Sequence, residues 1–164
     1  MDEVIRLNAD YAVASSEPAR RTFDRIAAEG FRSVVSFQTR EEEQKLPIED
    51  EREAAAQAGL AFLHQPVSGD SLDDETVDRF RDALGGLPKP VLLHCSSGKR
   101  AGAMTMMHLA SEMGLSGDEA LEKAASMGFE CDNPKLEAFV RDYVDRHQRR
   151  SSATPSAAAT ADRR

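Results

Sequence analysis

One short stretch of the sequence combines the residue types that covalent chemistry on an anion requires. The apolar run Val91–Leu93 leads into His94 and Cys95, and the chain continues Ser-Ser-Gly-Lys-Arg. This pattern predicts a buried strand that ends at the cysteine, a loop, and then a helix that begins near Arg100. The unpaired N–H groups and the dipole at a helix N-terminus attract anions. They also favour a thiolate, so we expect Cys95 to be a nucleophile.

The residues around the cysteine suit an anion-binding loop. Gly98 allows the loop to curl so that its backbone N–H groups point inward. Arg100 supplies a planar guanidinium that fits a phosphate or another oxyanion. We expect His94 to support the loop through a hydrogen bond and not to act as a base. The N–H groups expected to bind substrate oxygens belong to Ser96, Ser97, Gly98 and Lys99. The predicted reaction is attack by sulfur on an electrophile with negatively charged oxygens, and it needs no metal or cofactor.

The elements that must position this loop alternate between strand and helix. Short β-branched and apolar runs predict strands, and helical spacing with glycine stops predicts helices between them. This alternation predicts an α/β fold with a mainly parallel sheet of four or five strands, flanked by helices. Ligands bind such sheets beyond the carboxyl ends of the strands, where the Cys95 loop would lie. The predicted strands are Tyr11–Ser15, Phe31–Phe37, Leu60–Val67 and Pro90–Cys95.

The second half of the sequence predicts helices and then a tail. Ala101–Met113 is apolar nearly all round, which is typical of a buried helix. Ser116 and Glu119 have the spacing of a capping box, and Asn133 is placed to cap the last helix. The segment 151–164 contains no large apolar residue, so we expect it to be disordered. Residues 1–150 are expected to form a single domain.

Composition and charge exclude several classes of function. The 164 residues carry a formal net charge of −8, whereas binding to nucleic acid or to an anionic membrane requires a basic face. We therefore expect no nucleic-acid or membrane partner. The start of the chain lacks the features of a secretory signal. The two cysteines, Cys95 and Cys131, are far apart in sequence, which favours a reduced, cytoplasmic protein.

The segment His94–Arg100 resembles the signature loop His-Cys-x-x-Gly-x-x-Arg of cysteine-dependent protein tyrosine and dual-specificity phosphatases. The segments GFRSVVSFQTREEE and FLHQPVSGDSLDD are also similar to that family, and the resemblance covers roughly residues 10 to 128. The most similar group comprises bacterial phosphatase-like domains, sometimes fused to β-lactamase-like hydrolases, with the shortened loop Cys-Arg-Ser-Gly-x-Arg-Ser. The resemblance implies hydrolysis of phosphate monoesters through a cysteinyl-phosphate on Cys95. The implied substrate is a phosphorylated protein or small molecule.

The resemblance also implies a general acid on the loop before the predicted helix that precedes the signature strand. In similar phosphatases this acid is an aspartate after the strand that precedes the signature strand. The loop contains Asp70, Asp73 and Asp74. Asp73 and Asp74 lie where a helix begins, so we interpret them as capping residues. Asp70 precedes the helix and is assigned as the acid.

Two differences from the phosphatase signature leave alternatives open. Four residues separate Cys95 from Arg100, as in rhodanese sulfurtransferases, whereas five do so in the phosphatase signature. Ala101 stands where phosphatases usually have a serine or threonine. A sulfurtransferase with a persulfide on Cys95 and a non-catalytic anion-binding module therefore remain alternatives. The acidic run Glu41–Glu43 is interpreted as a solvated face, although one of its glutamates could brace the arginine loop.

Overall fold

The computed structural model describes residues 4–68, 72–128 and 133–153 of the chain. These ranges pack as two compact units, which divide between Gly102 and Ala103. The first unit contains a sheet with three helices and the first turn of a fourth. The second unit contains the rest of that fourth helix and two more. The elements are β1 Val4–Arg6, β2 Tyr11–Ala14, α1 Thr22–Ala28, β3 Ser33–Ser36, α2 Ile48–Gln57, β4 Ala61–His64, α3 Asp74–Gly85, β5 Val91–His94, α4 Lys99–Met113, α5 Gly117–Ser126 and α6 Pro134–Ala153.

The sheet has five strands in the order β1-β2-β5-β3-β4. Strand β1 pairs with β2 in the antiparallel direction, and all the other pairs are parallel. The predicted α/β class with a mainly parallel sheet of four or five strands is therefore confirmed. The four strands that the sequence predicts are all present, and each is shorter than predicted. Strand β1 is the additional one, because three half-exposed residues give too weak an alternation to be recognised in the sequence.

The central strand, β5, is paired with β2 on one side and with β3 on the other. Leu92 is paired with Ala12 of β2 and with Val34 of β3. These strand residues are fully buried, together with Phe23 and Ile26 of α1. Each large apolar side chain of this kind contributes about 1.5–3 kcal/mol when it leaves water. The carboxyl end of β5, where the cysteine loop begins, therefore follows a fully buried strand.

The second unit confirms the predicted helix caps. The Ser116 side chain accepts a hydrogen bond from the Glu119 backbone, and the Glu119 side chain accepts one from the Ser116 backbone. The Asn133 side chain accepts hydrogen bonds at the start of α6. Helix α6 continues to Ala153, past the start of the predicted tail. Residues 154–164 of that tail, and Cys131, lie outside the described residues.

Candidate active site

Cys95 follows the last residue of β5, and two backbone N–H groups donate hydrogen bonds to its sulfur. The Gly98 N–H donates to Sγ at 3.2 Å, and the Ala101 N–H donates to it at 3.4 Å. The residue is fully buried. Two backbone N–H groups of the loop therefore converge on one sulfur.

The backbone at Gly98 explains why the loop contains a glycine. Its φ is +90°, a value that side-chain-bearing residues rarely adopt. A Cβ at this position would lie 3.2 Å from the Ala14 carbonyl oxygen and 3.2 Å from the Ser15 Cα. The Gly98 carbonyl in turn accepts a hydrogen bond of 2.8 Å from the Gly102 N–H in the first turn of α4. Glycine therefore permits the turn, and it also permits close packing on the end of β2.

Hydrogen bonds to three residues fix the position of the Arg100 side chain. Its Nη1 and Nη2 atoms donate to the two carboxylate oxygens of Glu42 at 2.8 and 2.7 Å. Nη1 also donates to the Val67 carbonyl at 2.9 Å, and Nη2 donates to Ser96 Oγ at 3.1 Å. A bidentate arginine–carboxylate pair of this kind fixes the plane of the guanidinium as well as its position.

The charges of this pair stabilise each other. The Arg100 guanidinium lowers the pKa of Glu42 from 4.5 to about 2, and hydrogen bonds from Thr39 assist it. The hydrogen-bonded Glu42 carboxylate raises the pKa of Arg100, and the neighbouring Cys95 sulfur adds to this effect. Both groups are therefore charged at neutral pH, and a permanent cation lies beside the cysteine.

His94 is buried and paired with an acidic residue from α2. Its Nε2 atom is hydrogen-bonded to Glu51 Oε2, and its Nδ1 atom lies 3.5 Å from the Cys95 carbonyl oxygen. The side chains of His94 and Glu51 are only 1% and 2% exposed. A buried carboxylate needs such a partner, because an unpaired charge is costly in the protein interior. The pair links the start of the loop to α2.

The other predicted loop residues face solvent. Ser96, Ser97 and Lys99 are exposed, whereas Gly98 is buried and Arg100 is partly buried. The structure thus brings Cys95, Gly98 and Arg100 together. The exposed members of the loop lie at the protein surface next to them.

The structure describes two of the three aspartates considered for the general acid, Asp73 and Asp74. Asp70 lies outside the described residues. Asp73 is the N-cap of α3, and its carboxylate accepts hydrogen bonds from the Thr76 backbone and hydroxyl at 2.8 and 2.7 Å. These bonds lower the pKa of Asp73. Asp74 lies in the first turn of the same helix. The structure therefore agrees with a capping role for Asp73.

Sequence reasoning missed Glu51 and underestimated Glu42. The acidic run was interpreted as a solvated face, with the alternative that one glutamate braces the arginine loop; the alternative holds for Glu42, which is paired with Arg100. Glu51 had a detectable signal, because it occupies the buried stripe of α2 together with Ile48, Ala54 and Ala55. An acidic residue at a core position of a helix indicates a buried partner.

Two kinds of feature are absent from the described residues. No helix among them is both long enough and apolar enough to cross a membrane. In the same ranges, no three His, Cys, Asp or Glu side chains come together as potential metal ligands.

The fold and the loop define a phosphatase-like α/β domain, and comparison with solved structures agrees. P. aeruginosa TpbA in complex with pTyr superposes with a TM-score of 0.71 at 24% identity, over 92% of this chain and 91% of that one. Tk-PTP in the active form gives a TM-score of 0.72 at 21% identity, over 88% and 98%. At this level of identity the likeness concerns the fold.

Sequence comparison identifies the family. Residues 4–112 match the phosphatase-like domain of beta-lactamase hydrolase-like proteins, and the chain belongs to this family. The beta-lactamase hydrolase-like protein of Xylella fastidiosa (strain Temecula1) is 33% identical over 112 residues, 68% of this chain and 25% of the relative. That of Agrobacterium fabrum is 29% identical over 100 residues, 60% of this chain and 23% of the relative. The chain thus spans about a quarter of the length of these relatives.

Proposed function

We propose that this domain is a cysteine-dependent phosphatase that hydrolyses phosphate monoesters through a cysteinyl-phosphate on Cys95. One observation carries the proposal: two backbone N–H groups converge on the Cys95 sulfur, beside the fixed guanidinium of Arg100. Donors aimed at a site of developing charge are commonly the largest contribution to catalysis of this type. The phosphatase folds of the neighbours and the family assignment support the same reaction class.

The proposed reaction has two steps. In the first, the Cys95 sulfur forms a bond to phosphorus while the bond from phosphorus to the leaving oxygen breaks, and Asp70 gives its proton to that oxygen. In the second, water attacks phosphorus and gives a proton to the Asp70 carboxylate. The sulfur–phosphorus bond breaks, and inorganic phosphate leaves. Arg100 and the N–H groups of the loop hold the phosphoryl oxygens throughout.

The contacts of Arg100 suggest how the phosphate enters. Four hydrogen bonds occupy the two Nη atoms, and only the one to Ser96 Oγ involves an exposed residue. A phosphate oxygen can replace this hydroxyl without disturbing the pair with Glu42. Glu42 would then position Arg100 during the reaction, while Nη2 and the loop contact the substrate.

We propose a phosphorylated protein or small molecule as the substrate class. Aryl phosphates such as phosphotyrosine have good leaving groups, and TpbA has been crystallised in complex with pTyr. The net charge of −8 makes nucleic acid and anionic membranes unfavourable partners. A reducing, cytoplasmic location would suit the proposal, because the Cys95 thiolate must stay unoxidised.

Sulfur transfer is the second candidate function, and the length of the loop favours it. Only four residues separate Cys95 from Arg100, which gives a tighter ring of donors than the phosphatase signature. In that reaction the thiolate takes the outer sulfur of thiosulfate and sulfite leaves. The resulting persulfide then gives its sulfur to an acceptor such as cyanide, which becomes thiocyanate.

One experiment separates these functions. A single preparation is assayed for release of p-nitrophenol from p-nitrophenyl phosphate and for formation of thiocyanate from thiosulfate and cyanide. Cys95→Ser is the control in both assays. We expect Cys95-dependent phosphatase activity that exceeds sulfur transfer. Sulfur transfer alone would replace our proposal with the second candidate, and silence in both assays with sulfate still bound would indicate a non-catalytic anion-binding module.

A further inference from the structure

A cavity lies along the same edge of the sheet as the cysteine loop. It has a volume of about 400 Å³ and is formed by the segment after β2, the start of α1 and the loop after β3. Ser16, Glu17, Arg21, Arg25 and Lys45 are among its lining residues. Strands β2 and β3 both run parallel to β5, so these segments follow the same carboxyl edge as the Cys95 loop.

The charge of this cavity is opposite to that of the whole chain. Its lining carries three cations and one carboxylate, whereas the chain has a net charge of −8. The Glu17 carboxylate accepts a 2.7 Å hydrogen bond from the Lys45 backbone, which ties the loop after β3 to the segment before α1. A local excess of positive charge in an acidic protein favours an anionic ligand there.

The cations of the cavity are largely available to a ligand. Among the described residues, the side chains of Arg21 and Lys45 have no ion-pair partner, and both residues are exposed. Arg25 is paired with Glu29 at 3.3 Å, but the two side chains are 63% and 40% exposed. Exposed pairs of this kind contribute little and exchange easily.

The cavity lies close to the cysteine loop at two places. Ser15 Cα lies 3.2 Å from the Cβ position of Gly98, and Ser16 is the next residue, about 3.8 Å further along the backbone. Lys45 is three residues after Glu42, which is bonded to Arg100, so their Cα atoms are at most about 11 Å apart. One substrate molecule can therefore span the loop and the cavity.

We propose that this cavity binds a second anionic group of the substrate, with Arg21 and Lys45 as its principal contacts. The preferred substrate is then a phosphate monoester that carries a further phosphate or carboxylate. This inference rests on the proposed function, since the Cys95 loop takes the phosphate that is removed. The second group comes either from an acidic residue that flanks a phosphotyrosine or from a second phosphate on a small molecule.

The test compares substrates that differ only in the second anion. The peptide arm uses phosphotyrosine peptides with glutamate or with glutamine at the flanking positions. The small-molecule arm uses fructose 1,6-bisphosphate and fructose 6-phosphate. The readout is the ratio of kcat/KM within each pair, measured for the wild type, for Arg21→Gln/Lys45→Gln and for Arg32→Glu. Arg32 is an exposed arginine just before β3, at the amino edge of the sheet, and it controls for net charge.

We expect at least one arm to show a preference of about tenfold for the doubly anionic substrate, because a hydrogen bond to a charged group contributes more than one to a neutral group. Arg21→Gln/Lys45→Gln should reduce this ratio to about one, and Arg32→Glu should preserve it. The arm that responds identifies the source of the second group. Equal kcat/KM values within both pairs for the wild type would overturn the proposal, as would a ratio that survives in the double variant or falls equally in Arg32→Glu.

A binding experiment keeps this inference separate from the reaction itself. Calorimetry with Cys95→Ser measures affinity for the same four compounds without turnover. If the wild type releases no phosphate but Cys95→Ser prefers a doubly anionic compound through Arg21 and Lys45, the cavity assignment stands and the phosphatase proposal fails. If phosphate is released and no such preference appears in either measurement, the cavity assignment fails alone.

Discussion

Glu42→Gln tests whether the pair with Arg100 stabilises the fold as the structure indicates. The substitution keeps the size of the side chain, removes its charge, and places an amide NH₂ group where one carboxylate oxygen accepted a hydrogen bond from Arg100. Each unit of pKa corresponds to about 1.4 kcal/mol. The lowering of the Glu42 pKa from 4.5 to about 2 therefore sets an upper limit of about 3 kcal/mol.

Solvent reduces this limit. The Arg100 and Glu42 side chains are 18% and 24% exposed, so water screens part of their attraction. We expect Glu42→Gln to lower the free energy of unfolding by about 1–2 kcal/mol at pH 7. The folded-state pKa of Glu42 is below its unfolded value. Its contribution is therefore complete above about pH 4.5 and is lost as the pH falls towards about 2.

Urea unfolding followed by circular dichroism measures the difference. Wild type and Glu42→Gln are compared at pH 7 and at steps down to pH 3, with Glu43→Gln as a control at the exposed neighbouring position. The gap between wild type and Glu42→Gln should narrow as the pH falls, and Glu43→Gln should stay close to the wild type throughout. Equal stabilities at pH 7, or a gap that is the same at every pH, would refute the reasoning.

Three further predictions concern the loop, its support and the acid. Gly98→Ala should lose about 1–2 kcal/mol more stability than Gly30→Ala, because both have positive φ but only Gly98 has backbone atoms 3.2 Å from the added Cβ; equal losses in urea unfolding would contradict this. Glu51→Leu should lower the free energy of unfolding by about 3 kcal/mol by leaving buried His94 without its partner, and unchanged stability would contradict it. Asp70→Asn should slow hydrolysis of alkyl phosphates by a factor of about 10²–10⁴ and that of p-nitrophenyl phosphate much less. Asp73→Asn should slow neither substrate, since Asp73 caps α3, and the opposite pattern would move the acid to Asp73.

Structural features that depend on residues close together in the sequence could be predicted. The apolar run before Cys95 predicted the central strand, and the spacing of Ser116 and Glu119 predicted a capping box that is present. Gly98 was assigned to the turn of the loop, and its φ of +90° agrees with that assignment.

The contacts that the sequence could not predict join residues far apart in the chain. Glu42 and Arg100 are 58 positions apart, and Glu51 and His94 are 43 apart. A run of charged residues looks the same whether one member is paired or all are solvated, so the role of Glu42 depended on the tertiary fold. Strand β1 has three residues, which are too few to show an alternating pattern in the sequence. Only its pairing with β2 identifies it as a strand.

The covalent state of Cys95 during turnover tests the central claim most directly. The protein is mixed with p-nitrophenyl phosphate, denatured rapidly at successive times, digested, and examined by mass spectrometry, with Cys95→Ser treated in parallel. We predict a phosphate on the peptide that contains Cys95, present during turnover, lost as substrate is consumed, and absent from Cys95→Ser. Steady release of p-nitrophenol by the wild type with no phosphate on Cys95 at any time, or equal release by Cys95→Ser, would contradict the account.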